Sequence, residues 1–297
     1  MFFRRALDTG KKLACKGDGK CENLKCRFCR FHKCIRVGMK FVDCLEDPIN
    51  VLSALKRNDE VRLANFLKGR PSSDVKIKDI FTQFKFNFFP KPAGTQFDFY
   101  EWGVMNHLTC INFAMNLSFM RYLSLEDSQL IFKHSHLMYL ILVTAWRSFS
   151  TRMSVMCHPD GSDIFPEEVE QSGYNEVLLN SIRSQLISRL IELKVTEEEF
   201  LLLSALLLCN TATPNLSQIG QTLMEAHRVM YATTLLRYCQ HTYGHHAPTR
   251  FTDILSLWTT IGNTQNDIDK FSALFPIVQP QDVKTNLFTE ILAFLLN

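Results

Sequence analysis

The sequence predicts a mostly α-helical protein, built as a small four-cysteine module followed by an all-helical domain. Three observations carry this reading. Six of the ten cysteines lie before residue 45 (Cys15, Cys21, Cys26, Cys29, Cys34 and Cys44), and four of them follow the spacing Cys15-x5-Cys21-x4-Cys26-x2-Cys29. The same stretch is basic: residues 1–40 hold 12 lysines and arginines against three acids, a net +9, whereas the remaining residues carry 21 basic and 27 acidic side chains, a net −6. From about Gln96 onward, apolar residues recur at helical spacing almost throughout, and strand signals are few.

A basic head on a mildly acidic body is the charge footprint of a nucleic-acid module joined to a separate domain. At 297 residues the chain has room for such a module and a domain of about 200 residues, and a hydrophobic content of 46% supplies a sizeable core. No apolar run reaches the roughly 18 residues of a membrane helix. The longest, Leu137–Trp146 and Phe200–Cys209, have the length of buried core helices, and Met1 is followed by no signal-peptide core. A soluble intracellular protein without a membrane partner is expected. In a reducing compartment, clustered cysteines favour metal over disulfides. Cys110, Cys157, Cys209 and Cys239 stand alone in apolar surroundings and read as buried free thiols.

Cys26 and Cys29 open a predicted helix that runs through Phe28, Phe31 and Ile35 to a stop at Gly38. Those three residues give one apolar face, while Arg27, Arg30 and Lys33 occupy others. Four thiolates are a preferred tetrahedral donor set for zinc, and a CxxC pair offers two of them on one turn. His32 and Cys34 stand close enough in sequence to compete as ligands. A stub of about 25 residues cannot fold on one apolar stripe, so the metal must supply much of the folding energy.

The phrase CRFCRFHKCIRVGM, Cys26 to Met39, resembles the end of the second zinc finger of nuclear hormone receptors. FFRRA, Phe2 to Ala6, resembles the end of the helix that closes their first finger. The resemblance implies one Zn(2+) held by Cys15, Cys21, Cys26 and Cys29, because the cysteine of the family's KC pair, here Cys34, is not a ligand. It implies that Phe2 and Phe3 pack between the module's helices. Arg4 and Arg5 fall beside DNA phosphates, and Arg27, Arg30 and Lys33 are counted with them as DNA-contacting residues. The loop Glu22 to Lys25 is shorter than is usual in the family. The family's first finger, whose helix reads base edges, has no counterpart in 1–44. Phosphate contacts carry no sequence code, so the expectation is weak or partner-dependent DNA binding through a partial DNA-binding domain.

Glu46-Asp47-Pro48 breaks the pattern, and Ile49 to Leu67 then reads as an amphipathic helix ended by Gly69-Arg-Pro71-Ser-Ser73. A second break lies at Pro90-Lys-Pro92-Ala-Gly94. Residues 45–95 are therefore taken as hinge and first helix, and 96–297 as the large domain. Within it, helices are predicted over 97–119, 126–149, 175–192, 196–209, 216–241, 248–274 and 282–296. Asp127, Thr196, Asp253 and Asp282 are the expected N-caps or first-turn acids. One short hairpin is expected at Val155–Phe165, turning at Asp160-Gly161.

The run from Ile111 through LSLEDSQLIFKH (Leu123–His134) to Ala145-Trp-Arg-Ser148 resembles the signature of nuclear-receptor ligand-binding domains, with Asp127-Ser128-Gln129 one residue longer than the family's D-Q pair. The form is most similar to the nematode receptors derived from a hepatocyte-nuclear-factor-4-like ancestor. The resemblance implies a helical sandwich around a small apolar ligand. Arg147 would face the pocket and pair with the ligand's polar end; internal pairing with Glu126 or Glu167 is the alternative. Met105, Leu108, Met115, Leu140 and Val143 are candidate lining residues. Leu287-Phe288-Thr-Glu290-Ile291-Leu292 is similar to the family's activation helix, in which Glu290 would cap a coregulator peptide helix. The opposing lysine is replaced by Met115, with Lys133 as substitute.

The expected function is a nuclear, receptor-type transcription factor with DNA, a receptor dimer partner and a coregulator helix as partners. The competing class is a non-DNA-binding regulator acting through ligand, dimerisation through 248–274 or cofactor titration. An enzyme is not expected: the chain has no phosphate-cradling glycine loop, no GxSxG and no HExxH.

Overall fold

The computed structural model describes residues 2–8, 13, 15, 17, 21, 25–39, 48–72, 76, 80, 87–171, 173–278 and 286–296. The elements are α1 (Phe2–Asp8), α2 (Arg27–Arg36), α3 (Pro48–Lys68), β1 (Gly69–Pro71), β2 (Phe88–Pro90), α4 (Phe99–Met115), a 3-10 turn (Ser118–Arg121), α5 (Leu125–Ser150), α6 (Glu167–Gln171), α7 (Glu176–Leu193), α8 (Glu197–Leu208), α9 (Gln218–Tyr243), α10 (Ala247–Val278) and α11 (Asn286–Leu296).

The body is a layered helical sandwich. α5 runs through its middle, packed on α4 on one side and on α7, α8 and α10 on the other. α3 lies across α4 and α8, α9 joins α8 to α10, and α11 covers α4 and α5. Burial explains the placement of α8, whose residues Phe200 to Leu208 are all buried: a helix apolar on every side belongs inside.

Polar residues set where helices begin. Asp98 and Glu101 form a capping box on α4, and Thr196 and Glu199 form one on α8. Ser124, Asn175 and Ser217 cap α5, α7 and α9. Two carboxylates tie these ends together. Asp127 accepts from Ser217 N–H at 2.9 Å and from the Ser217 hydroxyl at 2.7 Å. A Cβ on Gly220 would meet Asp127 Oδ2 at 2.8 Å, so only glycine lets α9 approach this closely. Glu199, fully buried, pairs with Arg250 of α10 at 2.6 Å, and Arg250 also donates to the Leu193 carbonyl at 2.6 Å.

Several expectations need correction. Asp253 lies inside α10, which starts earlier at Ala247 because Pro248 is tolerated in a first turn whose N–H groups have no helical partner. Asp282 lies outside the described residues. The hairpin at 155–165 reduces to one antiparallel bridge, Cys157 with Asp163. Its turn is as expected: His158 N–H donates to the Ser162 carbonyl, and Gly161 has φ +87°. The segment 97–119 ends its α-helix at Met115, before the separate 3-10 turn. The two breaks flanking 72–87 pair with each other as a three-residue antiparallel ribbon, Arg70 opposite Phe89. Strands this short carry no readable period, and neither does the five-residue α6.

Candidate metal centre and receptor sites

The metal centre sits at the start of α2. Cys26 is the N-cap and Cys29 lies in the first turn, where the helix's partial positive charge favours thiolates. Cys15 and Cys21 come from the preceding loop. The four Sγ atoms all lie within 4.8 Å of one another. Cys15 Sγ is 3.4 Å from Cys21, 3.6 Å from Cys29 and 3.7 Å from Cys26. A tetrahedron of sulfurs about 2.3 Å from zinc has edges of about 3.8 Å, so the cluster has the size of a zinc site. Crowding argues the same way. Hydrogen bonds from Cys15 and Cys29 push the Cys21 thiol up to about 12, and burial raises Cys29. Thiols so placed ionise readily only around a cation.

His32 and Cys34 are not in the cluster. His32 is buried with Nε2 2.9 Å from the Tyr122 carbonyl oxygen, and its ring lies 3.8 Å from that of Phe28. A carbonyl only accepts, so Nε2 carries the proton, and burial lowers this histidine's pKa. Arg27, Arg30 and Lys33 are exposed along the other side of α2, and Arg36 continues the row at the same three-residue step. Sequence reading missed Arg36, although that step was legible. Arg30 also covers the Phe2 ring at 4.3 Å. Phe3 is buried and stacks on Phe31 at 5.0 Å between α1 and α2. Arg5 is exposed; the Arg4 side chain lies outside the described residues.

A second constellation lies inside the body. Arg147 is 6% exposed and has no carboxylate partner among the described residues; the alternative pairing with Glu126 or Glu167 does not occur. Its guanidinium lies 4.5 Å over the Phe66 ring and reaches Asn106 Oδ1 at 3.5 Å and the Cys157 carbonyl at 3.3 Å. Nε has no hydrogen-bond partner among the described residues. Burial, then the neighbouring Arg62, pulls its pKa down to about 10. Nearby His158 has neither ring nitrogen satisfied and stacks on Trp102 at 5.9 Å. Burial and the Arg147 charge push His158 down to about 4. Met105 packs with Phe66 and Trp102 in the same aromatic cage, and Leu108 and Val143 are fully buried. Leu140 and Met115 are half-buried. His158 went unnoticed in the sequence because its burial depends on the fold of the 157–163 turn.

α11 docks through Phe288 and Ile291, both buried, with Leu287 and Leu292 half-buried and Glu290 exposed. Phe288 meets the Tyr100 ring at 5.4 Å, and its Cε2 would lie 2.8 Å from a Cβ on Gly103. Glycine at 103 is therefore the socket for Phe288. Lys133 is exposed, and its Nζ lies 5.3 Å from the Phe294 ring of α11.

The two regions that hold these groups resemble known domains. A model for the ligand-binding domain of nuclear hormone receptors matches residues 86–275, and one for the C4-type double treble clef zinc finger matches residues 1–41. The chain belongs to the nuclear hormone receptor family. It is 35% identical to nuclear hormone receptor family member nhr-27 of Caenorhabditis elegans, over 99% of this chain and 86% of that protein. It is 33% identical to nhr-9 over 98% of this chain and 89% of the relative, and 32% identical to nhr-167 over 95% and 87%, both from the same nematode. Membership makes this receptor a member of a family of non-enzymatic transcription factors. Among the described residues no helix is long and apolar enough to cross a membrane.

Proposed function

We propose that this receptor is a nuclear transcription regulator that holds one zinc ion with Cys15, Cys21, Cys26 and Cys29 and contacts DNA phosphates through α2. The observation that carries the reading is the four-thiol cluster at the start of a helix whose other side is a row of exposed cations, Arg27, Arg30, Lys33 and Arg36. Arg5, on α1, is a further exposed cation of the module. Zinc supplies the charge that keeps four crowded thiolates together, and the cations reduce the cost of approaching a polyanion.

In the body, a guanidinium whose Nε lacks a hydrogen-bond partner among the described residues, set beside an aromatic cage, suits a small apolar ligand with an anionic or carbonyl end, held at Arg147 against Met105, Leu108 and Leu140. Ligand binding biases α11 between docked and free. With α11 docked, Glu290 and Lys133 flank the groove for a coregulator helix. α10 is the surface for a receptor partner.

DNA selection tests this. Zinc-loaded chain is mixed with a random duplex pool at about 150 mM salt, where loose phosphate contacts are weak. The expected result is binding lost on chelation and reduced when Arg27, Arg30 and Lys33 become alanine. Salt-sensitive background indifferent to zinc would leave the regulator that works through its body alone.

A further inference from the structure

The apolar face of α2 is not free. Phe31 stacks on Tyr122 with centroids 5.1 Å apart and planes 22° from parallel, and Phe3 stacks on the same Phe31 ring at 5.0 Å. Three rings, from α1, α2 and the body, thus form one column. The His32 imidazole donates to the Tyr122 carbonyl, and Leu13 N–H donates to the Arg121 carbonyl at 3.4 Å. These carbonyls belong to the end of the 3-10 turn Ser118–Arg121, where backbone acceptors lack helical partners. The module therefore caps a turn of the body. Phe28, Phe31 and Ile35 join the same continuous core as Phe119, Tyr122 and Leu123, and α2 also touches α9.

The place matters. Tyr122 stands two residues before Ser124, the cap of α5, and five before Asp127, which fastens the start of α9. On the module side, His32 and Phe31 lie within one turn of Cys29. One helix thus carries two of the four cysteines at its start and the body contact on its next turn.

We propose that α2 is a docking surface whose partner is this chain's own ligand-binding body, so that metal binding at the four cysteines and closure of the Ser118–Asp127 corner form one linked equilibrium. This rests on the zinc reading above. Linkage is reciprocal: whatever order the metal imposes on the corner, the corner returns as metal affinity. The row of exposed cations faces away from the docked side, so docking leaves it available to phosphates.

The experiment uses the full chain. Zinc content is measured first by elemental analysis; a chain that binds no zinc overturns the zinc reading, and this inference falls with it. Amide hydrogen exchange is then compared with and without chelator. Faster exchange at Phe119–Leu123 and at the first turn of α5, with Leu186–Leu190 of α7 unchanged, is the expected result; exchange unaltered at the corner in a zinc-binding chain overturns the docking. Transfer of zinc to a chromophoric chelator gives the reciprocal reading. Tyr122→Ala is expected to weaken zinc retention by about tenfold, within the usual span of coupling between sites, whereas Tyr122→Phe, which keeps the stacked ring, retains it. Equal retention in Tyr122→Ala and the parent also overturns the docking.

Discussion

The zinc module and the helical body face the same thermodynamic problem and answer it differently. The body surrounds α5 and α8 with helices, so apolar burial on all sides offsets chain entropy. Two of its buried carboxylates serve as fasteners: Glu199 with Arg250, and Asp127 with Ser217. The module has one short apolar face. It spends that face on the Phe3–Phe31–Tyr122 column against the body, and on the proposed zinc reading its remaining order comes from four thiolates converging on one ion. On that reading the difference teaches that a fragment too small for its own core can be held by a metal on one side and a neighbour on the other.

The largest expected contrast comes from the metal. Cys26→Ser removes one thiolate, and structural zinc in small modules is worth on the order of 10 kcal/mol. The variant is expected to lose zinc and the helical signal of α2, while the body still melts cooperatively; circular dichroism and calorimetry together check this. Next is the body's own fastener. Glu199→Ala leaves Arg250 without its carboxylate and α8 without its capping box, and breaking a buried pair costs about 3–5 kcal/mol. Denaturant unfolding should show that loss with zinc stoichiometry unchanged.

Acid sharpens the comparison further. Burial pushes His107, His158 and His227, all in the body, down to about 4 from an ordinary 6.5. The unfolded chain takes up protons that the folded chain refuses. Stability is therefore full above about pH 6.5 and falls between 6.5 and 4 by about 1.4 kcal/mol per unit for each histidine, levelling below that range. Melting temperature against pH measures it, and a body whose stability is flat across that range would contradict the neutral burial of these rings.

Two smaller effects probe the receptor site. Gly103→Ala drives a methyl into Phe288 and should cost about 1–3 kcal/mol of α11 docking, seen as faster exchange in 286–296 and weaker coregulator-peptide binding. Arg147→Met removes a buried guanidinium that has no carboxylate partner among the described residues. It is expected to leave stability unchanged or raise it by about 1 kcal/mol, while binding of a fluorescent fatty-acid probe is lost.

Much of the architecture was legible because it is written in local pattern. The seven predicted helices of the body differ from the observed ones by a few residues, since each carries its own apolar period, and four of them also carry a Ser, Thr or Asn just before the first turn. The helix from Cys26 to its stop at Gly38 was equally legible, with Gly38 at φ +87°. The misses share one cause. Asp253 sits in mid-helix because its surroundings, not its own side chain, decide where α10 begins. The β1–β2 ribbon needs two segments distant in sequence to meet.

By itself the sequence determined the family, the four-cysteine spacing, the division of charge and the order of helices, because residue type and spacing act over one or two turns. Only the tertiary structure decided that Arg147 stands buried without a carboxylate among the described residues, that His158 is buried against Trp102 with neither nitrogen paired among them, that Gly103 is the socket for Phe288, and that α2 leans on Tyr122. Each of these depends on which distant surfaces come within van der Waals reach, and that is settled by packing the whole chain at once.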